Sequence, residues 1–176
     1  TMRNKDDIIL ELLDLIIDME SSPYRQFIEV DNNFAQNSNS WKHEALGDGF
    51  FIFMVNTNPY VPIKKSQQAV SQFINKLKRD GIDEEHINIA KKKLLRDRMY
   101  YRFWVSKIAH SLGYYELLYG DYHKYTNQLE LIKDIDNEDI KRVANKYFIN
   151  EKEIELQPEN NNIFKQFVYS LYYTFF

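Results

Sequence analysis

Apolar residues fill the stretch IILELLDLIIDM, Ile8 to Met19, on nearly every side of a helical wheel. A helix patterned this way is one that the rest of the chain must surround. Its start is expected at Asp6 or Asp7, whose carboxylates suit an N-cap. Ser21-Ser22-Pro23 interrupts the pattern, and Pro23 suits the first turn of a short second helix, YRQFIEV. The polar, turn-rich segment NFAQNSNSWKHEALGDG follows. It predicts an irregular strand, a turn at Gly47-Asp48-Gly49, and then the strand FFIFMVN. That second run is short, apolar and without alternation, which predicts burial on both faces. The two strands make an antiparallel pair.

After Pro59 and Pro62 the pattern is helical as far as Phe148. Ala69, Val70, Phe73, Ile74 and Leu77 form a single stripe, and Gly81 closes that helix. Asp83 caps the next, which runs through KKKLLRDRMYYRFWVSKIAHSL with Gly113 as its expected interruption. GDYHKYTNQLELIKDI supplies a further short helix, and Asp136 caps the last. The segments IDEEHINIAKKKLL (Ile82 to Leu95) and IDNEDIKRVANKYF (Ile135 to Phe148) thus share one formula. In each, the Asp accepts from a backbone N–H two or three residues on, and the acids behind it favour the positive helix end. The formula launches helices and carries no chemistry. EIELQ, Glu153 to Gln157, alternates as a final strand would and is ended by Pro158.

The chain has 176 residues, enough for one domain with its own core. A domain is expected over 5–158, with an aromatic tail over 159–176 that contains IFKQFVYSLYYTFF. The tail is too short to span a bilayer, which takes about 20 apolar residues. Pairing with a sheet edge, of this chain or another, is favoured over contact with a membrane surface. The start TMRNKDD is polar and has no apolar run of the secretory kind.

With 28 % charged residues and a net charge of −3, the chain offers no general attraction for nucleic acid. Lys91, Lys92, Lys93, Arg96 and Arg98 point in several directions on a helix and read as a solvated face. The absence of cysteine removes disulfides, thiolate metal sites and cysteine nucleophiles, and leaves the redox compartment open. No glycine-rich phosphate-binding pattern occurs.

A helical zinc site needs ligands at i and i+4, as in H-x-x-E-H. His43, His86, His110 and His123 are each without a second histidine at that distance. Ser106 and Ser111 flank His110 but do not form a nucleophile elbow. No catalytic, cofactor-binding or metal-ligating residue is therefore assigned. The aromatic run MYYRFWV, Met99 to Val105, has two readings: a stacking or peptide-binding platform, and core packing on a long buried helix, which is preferred.

Six segments in order resemble the second-type domain of the insulinase/pitrilysin zinc peptidases, the group that includes mitochondrial processing peptidase. They are D-x-x-I-L-x-L-L near Asp7, SSPYRQFIE, GFFIFMVNTNP, KRDGIDEEHINIAKKKLL, SKIAHSLGYYELLYGD and IKDIDNEDIKRVANKYF. The resemblance runs from Lys5 to Pro158. It implies an α+β domain whose antiparallel sheet is packed on one face by several helices. It also implies a non-catalytic wall of a peptide-enclosing chamber, paired with a zinc-bearing domain or subunit that acts on the peptide substrate. An inactive scaffold that supports a partner subunit is the alternative. Two departures from the family pattern stand out. H-x-x-E-H is absent, so zinc is expected in the partner and no cofactor in this chain. Ile28 and Ala35 stand where substrate-contacting members carry an Arg and a Tyr seven apart. The resemblance further implies a missing first strand.

Overall fold

In the computed structural model, which describes residues 3–43, 49–59, 61–149 and 152–156, helix α1 (Arg3–Ile17) is the element that the others surround. Ile8, Ile9, Leu12, Leu13, Ile16 and Ile17 are all buried, as an apolar circumference requires. The helix begins earlier than expected. Asp6 lies inside its first turn rather than at its cap, because the carboxylate has stronger partners elsewhere. It accepts from Arg142 Nη1 at 2.8 Å, Lys146 Nζ at 2.7 Å and the Tyr147 hydroxyl at 2.9 Å, all more than 130 residues further along the chain.

Ser22 caps α2 (Pro23–Arg25), its hydroxyl accepting from the Tyr24 N–H, with Pro23 at the start as the sequence predicts. The backbone then widens into a π-helical turn, Gln26–Asp31. That turn buries Ile28 and directs Glu29 at the next strand, where it accepts from Ser38 N–H at 2.6 Å and Ser38 Oγ at 2.8 Å.

Strands β1 (Ala35–His43) and β2 (Phe50–Thr57) pair antiparallel, Ser40 opposite Phe53 and Trp41 opposite Ile52, with one irregularity between Ala35 and Asn37. The expected turn falls mainly on Gly47 and Asp48, outside the described residues. Helices cover one sheet face. Phe51, Phe53 and Val55 pack against the core there, and the Phe51 and Phe53 rings lie 5.2 and 5.4 Å from that of Phe148. On β1 the same face is polar: the Ser40 N–H donates to Asp18 at 2.8 Å and the Ser40 hydroxyl to Asp14 at 2.6 Å. Burial raises the Asp14 carboxyl despite the Ser40 hydrogen bond. The expectation that β2 is buried on both faces is overturned. Phe50 and Met54 are exposed, because no described element lies over the other face.

Helix α3 (Ile63–Asp80) docks through Ala69, Phe73, Ile74 and Leu77, the expected stripe. Gly81 ends it with φ +73°, and its N–H donates to the Leu77 carbonyl at 3.0 Å. A Cβ there would also come within 1.8 Å of the Asn137 side chain. That amide accepts from the Ile82 N–H at 2.8 Å and donates to the Asp80 carbonyl at 3.0 Å, clamping the turn.

Asp83 caps α4 (Glu84–Tyr101), accepting from the His86 N–H, and Asp136 caps α7 (Asn137–Tyr147), accepting from the Asp139 N–H. Both launches are as predicted. Between them lie α5 (Val105–Tyr119) and α6 (His123–Lys133). The long helix breaks at Arg102–Trp104 and not at Gly113, which sits within α5 with open space around it. At the break, N–H groups of Arg102, Phe103 and Trp104 donate to the carbonyls three residues back, tightening the last turn. Below Leu95 the helix has run past the core, so nothing apolar holds it straight. Residues 153–156 are not a strand: Ile154 and Leu156 are exposed, and the segment pairs with no described strand. The aromatic tail lies outside the described residues. Among the described residues no helix is long and apolar enough to cross a membrane.

The architecture is therefore α+β, an antiparallel pair backed on one face by helices. Asp6, only 4 % exposed, ties its first helix to its last. Burial alone would raise this carboxyl, but the hydrogen bonds from Lys146, Arg142 and Tyr147 prevail and hold it below the ordinary 3.8. Its stabilisation is complete above that value and is lost as pH falls through the lower folded one. Asp6→Ala should cost about 1–2 kcal/mol at neutral pH, since its cationic partners remain half in water. Urea titrations at pH 7 and at pH 3 check this: the difference between wild type and variant should shrink in acid.

Candidate functional site

The four histidines stand on four different elements, β1, α4, α5 and α6. His43 ends β1 and stacks on Phe50 at 4.7 Å between ring centroids. His110 stacks on Tyr114 within α5, and His123 on Tyr122 at the start of α6. Among the described residues no group of three His, Cys, Asp or Glu side chains is placed to hold a metal.

His86 is the most constrained of the four. Its Nδ1 lies 2.7 and 2.8 Å from the two Asp83 oxygens, and its Nε2 lies 2.8 Å from the Ser21 carbonyl. Both contacts are donated at once only by the imidazolium, so the ring fastens the start of α4 to the α1–α2 junction best when charged. Burial would lower its pKa, but the Asp83 hydrogen bonds, the Ser21 carbonyl and the charges of Asp83 and Glu85 prevail and raise it above 6.5. The same ring holds the Asp83 carboxyl low, against burial. The role is positional, in a helix cap.

The face that stands out is the uncovered side of the sheet. Residues 39, 41 and 43 of β1 alternate away from the helices, opposite 54, 52 and 50 of β2. Trp41, His43 and Phe50 form one aromatic cluster there, with ring centroids 4.7 to 6.0 Å apart. Ile52 and Met54 continue it along β2. Each strand also leaves one edge unpaired among the described residues. Such a face offers apolar contact to an extended chain, and such an edge offers backbone hydrogen bonds. Ile28 and Ala35 take no part: both are buried in the core.

A second apolar surface lies at the α4–α5 break. Core packing for Met99–Val105 is overturned, since Phe103 is 82 % exposed and Trp104 55 %. The sequence hid both surfaces for one reason. An apolar residue facing out has the same letter as one facing in, and only the register of the break and of the strand pair separates them.

Comparison with solved structures places this geometry. A protein described as a zinc protease from Bordetella pertussis Tohama I superposes with a TM-score of 0.74 at 20 % identity, covering 83 % of this chain and 80 % of that one. The inactive peptidase domain of a zinc protease from Bordetella parapertussis gives 0.72 at 18 % identity, covering 90 % and 87 %. A protease from Helicobacter pylori gives 0.68 at 23 % identity, covering 81 % of this chain but 35 % of that one. The chain has the fold of a zinc-protease domain. The resemblance read from its sequence is thus matched in three dimensions. No protein-family model and no curated protein matches the sequence.

His86 generates a pH dependence that can be measured without substrate. Its contribution is complete below the ordinary 6.5 and is lost as pH rises through the higher folded value. His86→Ala should cost about 1 kcal/mol at pH 6 and flatten stability between pH 6 and 8. Thermal melts across that range check it, with an unchanged slope counting against the charged cap.

Proposed function

We propose that this chain is a non-catalytic domain of a zinc-dependent endopeptidase of the insulinase family, one wall of a peptide-enclosing chamber. It pairs with a zinc-bearing domain or subunit. The carrying observation is β2. Its sequence is apolar on both faces, as strands covered on both sides are, yet among the described residues helices cover only one of them. The bare face bears Trp41, Phe50 and Met54, which suit an extended peptide held by apolar contact. The fold shared with an inactive peptidase domain supports the same reading. Its own histidines lie on separate elements, so hydrolysis falls to the metal of the partner.

A second reading, an inactive scaffold that supports a partner subunit, is favoured by the exposed Phe103 and Trp104. The two separate on one experiment, in which the purified chain is added to a zinc-bearing domain of the same fold. A chamber wall restores hydrolysis of a fluorogenic peptide, and Trp41→Ser with Phe50→Ser raises KM by about tenfold, the equivalent of ~1.4 kcal/mol of lost apolar contact. A scaffold binds the partner without the KM effect. Hydrolysis by the chain alone, or stoichiometric zinc on it, would exclude both.

A further inference from the structure

A cleft of about 280 Å³ opens on the helical side of the domain, away from the bare sheet face. Its walls come from α1 (Asp7, Glu11), the end of β1 (Lys42), the end of α4 (Arg98) and above all α5 and α6. Three of its lining residues hold buried polar atoms without a partner: Arg98 Nε, the Tyr125 hydroxyl, and both ends of the Gln128 amide. Gln128 is 1 % exposed. A folded chain rarely leaves an amide in that condition, so each such group asks for an explanation. The Arg98 Nη2 is already placed, donating to Glu11 at 2.5 Å.

The chemistry of these atoms narrows the occupant. Arg98 Nε and Gln128 Nε2 are donors and require an acceptor, Gln128 Oε1 requires a donor, and the Tyr125 hydroxyl can donate to the same acceptor. A simple anion satisfies only the donors and a simple cation only the Gln128 oxygen. A peptide C-terminus satisfies both, its carboxylate meeting the donors and its last amide N–H meeting the acceptor. The volume is at the small end for ligand sites, which fits one or two amino-acid residues. Tyr114, Tyr115 and Tyr119 give an aromatic wall for the side chain. Helix α5 supplies it and has no buried residue of its own, its Tyr119 hydroxyl donating to Asp7 at 3.0 Å, so contact with the amide beneath requires that wall to move.

We infer that the cleft between α1, α4, α5 and α6 binds the free carboxyl end of a short peptide, with Gln128 and Arg98 as its recognition groups. The site is independent of the sheet face. It stands or falls whether or not the chain walls a peptidase chamber.

Calorimetry on the full chain with glycyl-phenylalanine, its C-terminal amide, and acetate tests this. The free dipeptide should bind saturably, and the amide at least tenfold more weakly. Acetate should be weaker still. A pentapeptide with the same last two residues distinguishes the sources: equal affinity assigns the site to the ends of longer chains, and loss of affinity to free dipeptides. Gln128→Leu should weaken dipeptide binding at least tenfold while leaving the melting temperature unchanged or raised. Should that variant fail to fold, Tyr125→Phe removes one oxygen and should weaken binding severalfold. No saturable binding at millimolar dipeptide overturns the inference, as does acetate matching the dipeptide. Affinity untouched by the Gln128 variant, or by the Tyr125 variant where that one must stand in, overturns it equally.

Discussion

A helix that is apolar on every side cannot lie on a surface, and this constraint organises the rest of the chain. Helix α1 needs neighbours all round, and it has them: α4 and α6, β1, α7 and α2 all pack on it. The polar residues on its margins then decide where each neighbour sits. Asp14 and Asp18 hold Ser40, which fixes the first strand across the helix. Asp6 holds Arg142, Lys146 and Tyr147, which brings the last helix back to the first. Apolar burial supplies most of the free energy and says little about register. These carboxylates, Asp6 buried, Asp14 partly so and Asp18 exposed, contribute less and specify position through their hydrogen bonds.

The sequence shows this logic wherever a single residue type settles the local geometry. Asp83 and Asp136 were legible as caps because an aspartate before an acidic first turn has few other uses. Gly81 was legible because a helix end at positive φ favours glycine. Gly113 misled by the same reasoning, for α5 runs through it unbroken. The true break at Arg102 carries no glycine or proline. It comes instead from where the core ends, a tertiary fact that no window of sequence contains. Residues 153–156 misled for the complementary reason: alternation describes a segment able to join a sheet, and this one pairs with no described strand.

Surfaces were the least legible part. The apolar pattern of β2 is correct as a record of what the strand tolerates, while which face is covered depends on the elements around it. On the proposed function those two facts agree, because a chamber wall is covered on its second face by peptide and partner rather than by its own helices. The Met99–Val105 segment carries the same ambiguity. Its aromatic residues have a helical pattern and no inward stripe, since the helix leaves the core after Leu95.

The separation between a catalytic and a non-catalytic domain of one fold can be argued from histidine use. A zinc site needs two imidazoles on one helical face, each with a nitrogen left for the metal. In this chain His86 has both nitrogens engaged in a cap, and the ring of His43 is stacked into an aromatic cluster on the sheet. His110 and His123 lie on different helices, beside tyrosines. No single substitution would gather these rings at one point, because each stands on a different element. Among the described residues the imidazoles serve a helix cap and aromatic contacts. Helix and sheet packing rest on α1, its carboxylates and the contacts of the other elements with one another, such as α3 with α7, and none of these calls on a metal.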